Sequence, residues 1–369
     1  MKKLRIMVSG GGTGGHIFPA VSIANALKAK LPDCDILFVG AEGRMEMERV
    51  PAAGYKIVGL PISGFNRQNP LKNVGVVVRL AKSLWKARKI VKDFAPDVAV
   101  GVGGYASGAA LWAAASAGVP CLIQEQNSYA GVTNKLLAKK AKRICVAYEG
   151  MERFFPKEKI VLTGNPVRQN LTAEVDKKAA YESFGFDEKK KTLLVIGGSL
   201  GARTINESMI AGLTKLQKEE DVQVLWQTGK IYFENVKAKA REHEGERLKI
   251  TDFVSRMDYA YNIADLVISR AGASSISELC LLGKPSVLVP SPNVAEDHQR
   301  KNAEALAKRG AAVMVMDCEA KEKMIDAALS ILRDKEQLEE LGRNASKLAQ
   351  EDSAARIAEE VIALTRNKE

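Results

Sequence analysis

The chain is poor in the residues that would tie it to disulfide, zinc or metal chemistry. Its five cysteines, Cys34, Cys121, Cys145, Cys280 and Cys318, are scattered over 369 residues with no close pair. That excludes a disulfide framework and a zinc site, and reads as reduced cytosolic thiols. No acid cluster suggests a metal. Asp33-Cys34-Asp35 has the D-x-D form of a metal-binding pair, but it precedes the second predicted strand. It therefore lies at the amino end of the sheet, away from the edge where ligands bind. Few aromatics accompany the basic residues, which argues against nucleic acid. The N-terminus MKKLRIMVSG enters a strand directly and does not read as a signal peptide.

Charge is absent altogether from Val98 to Gln124, but the stretch does not read as a membrane span. It is rich in Gly and Ala and is broken by Gly103-Gly104 and Gly118-Val119-Pro120. A strand, a buried small-residue helix and a second strand account for it. Acids are scarce in the first half. Residues 1–163 hold 24 Lys and Arg against 11 Asp and Glu, whereas the remainder holds 31 against 33. The whole surplus of positive charge thus sits on one half, whose natural partner is an anionic surface.

What the chain does have is one pattern twice over. An apolar run, a glycine-rich loop and a helical pattern occur in LRIMVSGGGTGGHIFPA from Leu4 and again in TLLVIGGSLGARTINES from Thr192. Backbone N–H groups at such a helix start favour an anionic group. Strands and helices alternate on both sides of Thr163-Gly164-Asn165-Pro166. The expectation is two doubly wound α/β domains, 1–163 and 164–349, with a last helix at about 350–369 crossing back onto the first.

Gly10, Gly12 and Gly15 fit the dinucleotide spacing G-x-G-x-x-G, a weak signal alone. Glu42 lies near the end of the second strand, where a nicotinamide site wants an acid, but past the turn. His16 stands where a Walker A loop has lysine. Of only three histidines, His16 and His298 lie in loop-to-helix motifs. His16 reads as a general base, a ligand of a sugar hydroxyl, or a structural histidine. A third small-residue loop, Ser269 to Ser277, opens a helix carrying Glu278, which reads as a ribose ligand or as an acid meeting the helix dipole. Arg168, in Asn165-Pro166-Val167-Arg168, is placed for a phosphate or is a solvated hinge residue. Glu296-Asp297-His298-Gln299 also reads as plain N-capping.

Asn66–Lys92 holds eight basic residues and no acid. Lys72, Arg79, Lys82, Lys86 and Trp85 alternate with valines and leucines, as in a helix lying on an anionic membrane, with Lys140 extending the patch. The same pattern suits an amphipathic helix packed on its own sheet.

Taken together, GGGTGGHIFPA, GVGGYASG, QEQNSYAGVTNK, GNPVR, GGSLGA, SRAGASSISE and EDHQRKNA, in this order across residues 3–365, resemble the MurG family of bacterial transferases. The resemblance implies a GT-B fold of two Rossmann-like domains facing across a cleft. It implies an inverting, metal-independent transfer of N-acetylglucosamine from UDP-N-acetylglucosamine to lipid I, giving lipid II for peptidoglycan, by a protein peripheral on the cytoplasmic face of the bacterial plasma membrane. Cell-wall synthesis and division proteins are implied as partners.

Residue by residue, the resemblance puts Val254 and Met257 at the uracil and Glu278 at the ribose. It puts Ser199, Arg168 and the helix start Gly272, Ala273, Ser274 and Ser275 at the diphosphate, and Gln299 and His298 at the sugar. Thr13, Gly14, Gly15 and Asn127 would complete the donor site. The acceptor diphosphate would lie on the loops holding Gly12, Gly103 and Gly104, with Tyr105 and Asn134 lining that side. The family often has two glutamines where this chain has His298-Gln299. The rival readings are a UDP-N-acetylglucosamine 2-epimerase on the same scaffold, a nicotinamide oxidoreductase and a membrane-bound scaffold without catalysis.

Overall fold

The computed structural model describes residues 3–12, 14–63, 74–167, 171, 174–198, 200–294 and 297–366. The chain divides into two compact units, Met1–Val167 with Gln350–Glu369, and Arg168–Ala349.

In the first unit the order is β1 (Arg5–Ser9), α1 (Gly14–Lys30), β2 (Asp35–Ala41), α2 (Glu46–Ala52), β3 (Lys56–Leu60), α3 (Val74–Phe94), β4 (Val98–Gly101), α4 (Tyr105–Ser116), β5 (Cys121–Glu125), α5 (Val132–Leu137), β6 (Arg143–Val146) and β7 (Ile160–Leu162). The second unit runs α6 (Lys177–Phe184), β8 (Lys191–Ile196), α7 (Arg203–Gln217), β9 (Val222–Gln227), α8 (Phe233–Ala240), β10 (Leu248–Thr251), α9 (Met257–Ile263), β11 (Leu266–Ser269), α10 (Ala273–Leu281), β12 (Ser286–Leu288), α11 (His298–Ala307), β13 (Val313–Met314), α12 (Ala320–Arg333) and α13 (Lys335–Lys347). The closing helix, α14 (Ser353–Arg366), belongs to the first unit.

Both sheets pair in parallel, in the orders β3-β2-β1-β4-β5-β6-β7 and β10-β9-β8-β11-β12-β13. Each order reverses direction once, between β1 and β4 and between β8 and β11. A crevice opens at such a reversal because the flanking connections leave for opposite faces. The four glycine-rich loops follow these four strands.

Apolar runs make the strands, since a parallel sheet is covered on both faces. Ile6, Val8, Val98 and Val100 are fully buried with Ile23 and Leu27 of α1 and with Ile357 and Val361 of α14. The charge-free segment forms β4, α4 and β5, and α4 buries Ala106, Ala109, Ala110, Ala113 and Ala114. Small side chains let that helix approach the sheet closely. Among the described residues no helix is long and apolar enough to cross a membrane. Asp35 opens β2 and pairs with Lys3 at 2.7 Å, which places the D-x-D segment at the amino edge. Burial pushes the Cys121, Cys145 and Cys280 thiols up to about 12, while Cys318 is exposed.

Candidate functional sites at the two sheet reversals

In the second unit, the loop after β8 and the loop after β11 wall a cleft of about 660 Å³. Gly201 has φ 78°, and a Cβ there would lie 1.9 Å from the Thr228 carbonyl oxygen. Only glycine lets the two backbones meet so closely. Gln227, at the end of β9, ties this loop to the segment after β10. Its Nε2 donates to the Gly198 carbonyl at 2.9 Å, and its Oε1 accepts the Val254 N–H at 3.1 Å.

Gly272, Ser275 and Gln299 stand on the cleft wall with Gly197, Gly198 and Arg203. Ala273 and Ser274 belong to the same first turn of α10 as Ser275. Gln299 Oε1 accepts the Ser291 N–H at 2.9 Å, which orients its amide. His298 opens α11 beside Gln299 but does not line this cleft.

Three residues expected at the nucleotide have buried side chains. Val254 and Met257 are buried. Because Gln227 takes the Val254 N–H, the carbonyl is the backbone group that Val254 can offer a base. Glu278 lies in the second turn of α10, is buried, and accepts the Tyr261 hydroxyl at 3.0 Å through Oε2. It is not on the cleft wall. Thr13, Arg168, Ser199 and Lys72 lie outside the described residues.

The cleft also holds a group that motif reading passed over. Arg270 lines it, donates to the Val289 carbonyl at 3.0 Å and is ion-paired with Asp317. Asp317 in turn accepts the Thr204 hydroxyl at 3.0 Å. The signal for Arg270 was its place at the carboxyl end of a strand, directly before a small-residue loop. Asp317 gave none, because it is 47 residues away along the chain.

In the first unit, the loops after β1 and β4 are pressed together. Gly104 has φ 87°, and a Cβ there would lie 2.5 Å from the Gly11 carbonyl oxygen. Gly12 follows in that loop, and Gly14 and Gly15 begin α1. The His16 ring rests against Gly103, and its Nδ1 lies 3.1 Å from the Gly11 carbonyl oxygen. Tyr105 opens α4 and is half exposed.

Asn134, expected on the acceptor side, is buried. Its amide donates to Glu125 Oε2 at 2.9 Å, so it supports the loop from beneath. Asn127 donates to Glu125 Oε1 through its N–H at 3.0 Å and through its side chain at 3.3 Å. Burial pushes the Glu125 carboxyl up, opposed by these N–H groups and that of Gly131. Glu42 pairs with Lys86 at 2.8 Å. The acid that a nicotinamide site would want is thus engaged with α3.

Within the basic face, Lys86 is thus ion-paired while its side chain stays 39% exposed. The rest of α3 divides as an amphipathic helix should. Val76, Ser83, Ala87 and Val91 are buried, while Val77 (58% exposed), Val78 (51%) and Trp85 (68%) stand out among exposed Arg79, Lys82 and Lys89. Lys140 and Arg88 both lie over the Trp112 ring, at 5.7 and 5.0 Å. Among the described residues no three His, Cys, Asp or Glu side chains gather as a metal site.

Two sequence profiles cover most of the chain. The glycosyltransferase family 28 N-terminal domain matches residues 6–146, and the C-terminal domain of that family matches residues 192–361. The UDP-N-acetylglucosamine--N-acetylmuramyl-(pentapeptide) pyrophosphoryl-undecaprenol N-acetylglucosamine transferase of Parabacteroides distasonis is 63% identical over 369 residues, covering 100% of both chains. The chain belongs to the MurG transferases of glycosyltransferase family 28. The like-named protein of Bacteroides thetaiotaomicron is 62% identical, over 98% of each chain. The crystal structure of Acinetobacter baumannii MurG matches with a TM-score of 0.80 at 28% identity, covering 98% of this chain and 99% of that one. The fold is GT-B, as the family resemblance implied. A UDP-N-acetylglucosamine 2-epimerase structure matches with a TM-score of 0.67 at 16% identity, a likeness of fold alone.

Proposed function

We propose that this chain transfers N-acetylglucosamine from UDP-N-acetylglucosamine to the 4-hydroxyl of the muramyl sugar of lipid I, giving lipid II. The observation that carries this reading is the full-length identity to the MurG transferases, joined to a glycine-walled cleft at a sheet reversal in the second unit. The acceptor hydroxyl oxygen attacks the anomeric carbon, the bond from that carbon to the UDP oxygen breaks, and a β-1,4 bond forms with inversion. Negative charge grows on the departing diphosphate. The N–H groups opening α10 and the Arg270 guanidinium answer it without a metal. His16 is the candidate base that takes the hydroxyl proton, and the loops around Gly12, Gly103 and Gly104 hold the acceptor diphosphate.

The test is UDP release from UDP-N-acetylglucosamine with and without a lipid I analogue, in EDTA. Acceptor-dependent release that survives EDTA is expected. Loss of release in EDTA overturns the metal-free reading. Conversion to UDP-N-acetylmannosamine without an acceptor would point to the epimerase.

We also propose that α3 seats the first unit on the cytoplasmic face of an anionic membrane. Its exposed Trp85, Val77 and Val78 are amphipathic-helix anchors among lysines and arginines. Lys82→Glu with Lys89→Glu should lower partitioning to phosphatidylglycerol vesicles at least about tenfold, since each cation near such a surface contributes about 1 kcal/mol. Activity on a soluble acceptor analogue should stay near wild type. Unchanged sedimentation with vesicles would move the membrane face elsewhere. Lys86 is left out of this test because its reversal would place two carboxylates together at Glu42.

A further inference from the structure

Glu46 is a fully buried carboxylate at the start of α2 that the transfer reaction does not by itself explain. It fills the hollow beneath the first glycine loop. Its Oε1 accepts the Ala41 N–H and its Oε2 accepts the Gly12 N–H, both at 3.0 Å. The hollow exists because Gly11 and Gly40 lack side chains. A Cβ on Gly11 would lie 2.1 Å from Glu46 Oε1, and one on Gly40 would lie 2.6 Å from Glu46 Cγ.

The Gly12 N–H belongs to the same peptide group as the Gly11 carbonyl. That carbonyl faces His16 Nδ1 at 3.1 Å. A carbonyl oxygen only accepts, so this contact is a hydrogen bond when Nδ1 carries the proton, and in the neutral ring that tautomer leaves the lone pair on Nε2. One peptide plane is therefore held at its N–H by a carboxylate and at its C=O by the imidazole. A carboxylate on the N–H polarises the amide and strengthens its carbonyl as an acceptor.

We propose that Glu46 is a positioning residue that acts on His16 through the Gly11–Gly12 peptide. It fixes the imidazole in the Nδ1–H tautomer with Nε2 as the basic nitrogen. It does for His16, across one amide, what an orienting carboxylate does directly in a nucleophile–histidine–acid triad. The link to rate rests on the reading of His16 as the base; the link to tautomer does not.

The experiment is long-range proton–nitrogen NMR of the whole protein labelled at histidine. There are three histidines, and the His16→Ala spectrum identifies the signal. Wild type should show His16 with Nδ1 protonated. Finding Nε2 protonated would overturn the proposal without any variant, which matters if substitution of Glu46 prevents folding. Glu46→Gln keeps the volume but sets an NH2 against one of the two backbone N–H groups. It should mix the His16 tautomers and lower kcat about tenfold at unchanged KM for UDP-N-acetylglucosamine. That is less than the ~10⁴-fold loss when a directly bonded orienting carboxylate is removed. A folded Glu46→Gln protein with an unmixed tautomer also overturns the proposal. Mixed tautomers with kcat unchanged would support the positioning and remove His16 as the base.

Discussion

Gly201→Ala should cost about 3 kcal/mol or more of stability and raise the KM for UDP-N-acetylglucosamine at least about tenfold, because it combines left-handed strain with a backbone collision. At φ 78° an alanine is already strained. Its Cβ would fall 1.9 Å from the Thr228 carbonyl oxygen and 3.0 Å from the Gly229 Cα. Both obstacles are backbone, which cannot swing aside as a flexible side chain would. The loop after β8 must then lift away from the turn after β9. That movement draws Gly198 off Gln227, and Gln227 also holds Val254. One methyl group thus loosens both segments expected to hold the donor.

Two further alanines separate the causes. Gly198 has φ 80°, but a Cβ there would meet no atom of the described residues within 4 Å, so Gly198→Ala carries the strain alone, about 1–2 kcal/mol. Gly245 has neither positive φ nor, among the described residues, a neighbour within 4 Å of such a Cβ, so Gly245→Ala should stay within about 0.5 kcal/mol of wild type. Thermal or denaturant unfolding and donor KM, measured on all three, give the order. If Gly201→Ala were no worse than Gly198→Ala, the close approach of the two turns would be wrong.

The sheets were legible because a parallel strand needs nothing from the sequence but an apolar run and a turn. β3, β10 and β11 fall where the apolar runs place them. Helix limits were less so. The pattern predicts a helix over 42–53, but α2 starts at Glu46, whose carboxylate is drawn inward to the Gly12 and Ala41 N–H groups. The sequence also reads as a helix over 133–141, but α5 ends at Leu137, since the chain must turn in time for β6 to begin at Arg143. The glycine loops announced themselves as local strings. Their supports did not, because each reaches across the fold: Glu46 to Gly12 over 34 residues, Gln227 to Gly198 over 29 and Arg270 to Asp317 over 47. Nothing local separates Glu46 from Glu48, or a buried glutamine in β9 from any other strand residue. Asn134 shows the converse, a motif residue whose burial and bond to Glu125 no local string announces.

Arg270→Ala is the second large effect, and its size comes from what it leaves behind. The substitution removes a cation from the cleft wall and strands the Asp317 carboxylate, which keeps only the Thr204 hydroxyl among its named partners. A largely buried carboxylate deprived of its partner repels an anionic ligand nearby and is itself costly to keep charged. We expect kcat/KM to fall about 100-fold, about 2.7 kcal/mol at the transition state. Most of the loss should lie in kcat, because the diphosphate gains charge as it leaves and the cation is worth more then than in the ground state. Asp317→Asn keeps the cation and loses its anchor, so a loss of about tenfold or less is expected. In the double variant the stranded charge is gone, and activity should recover above Arg270→Ala alone. A coupling of about 1–3 kcal/mol in that cycle would mark the two as one unit. Additive losses would mean that Arg270 acts without Asp317. A change in unfolding temperature with kcat intact would return the pair to the role of an ordinary ion pair between two loops.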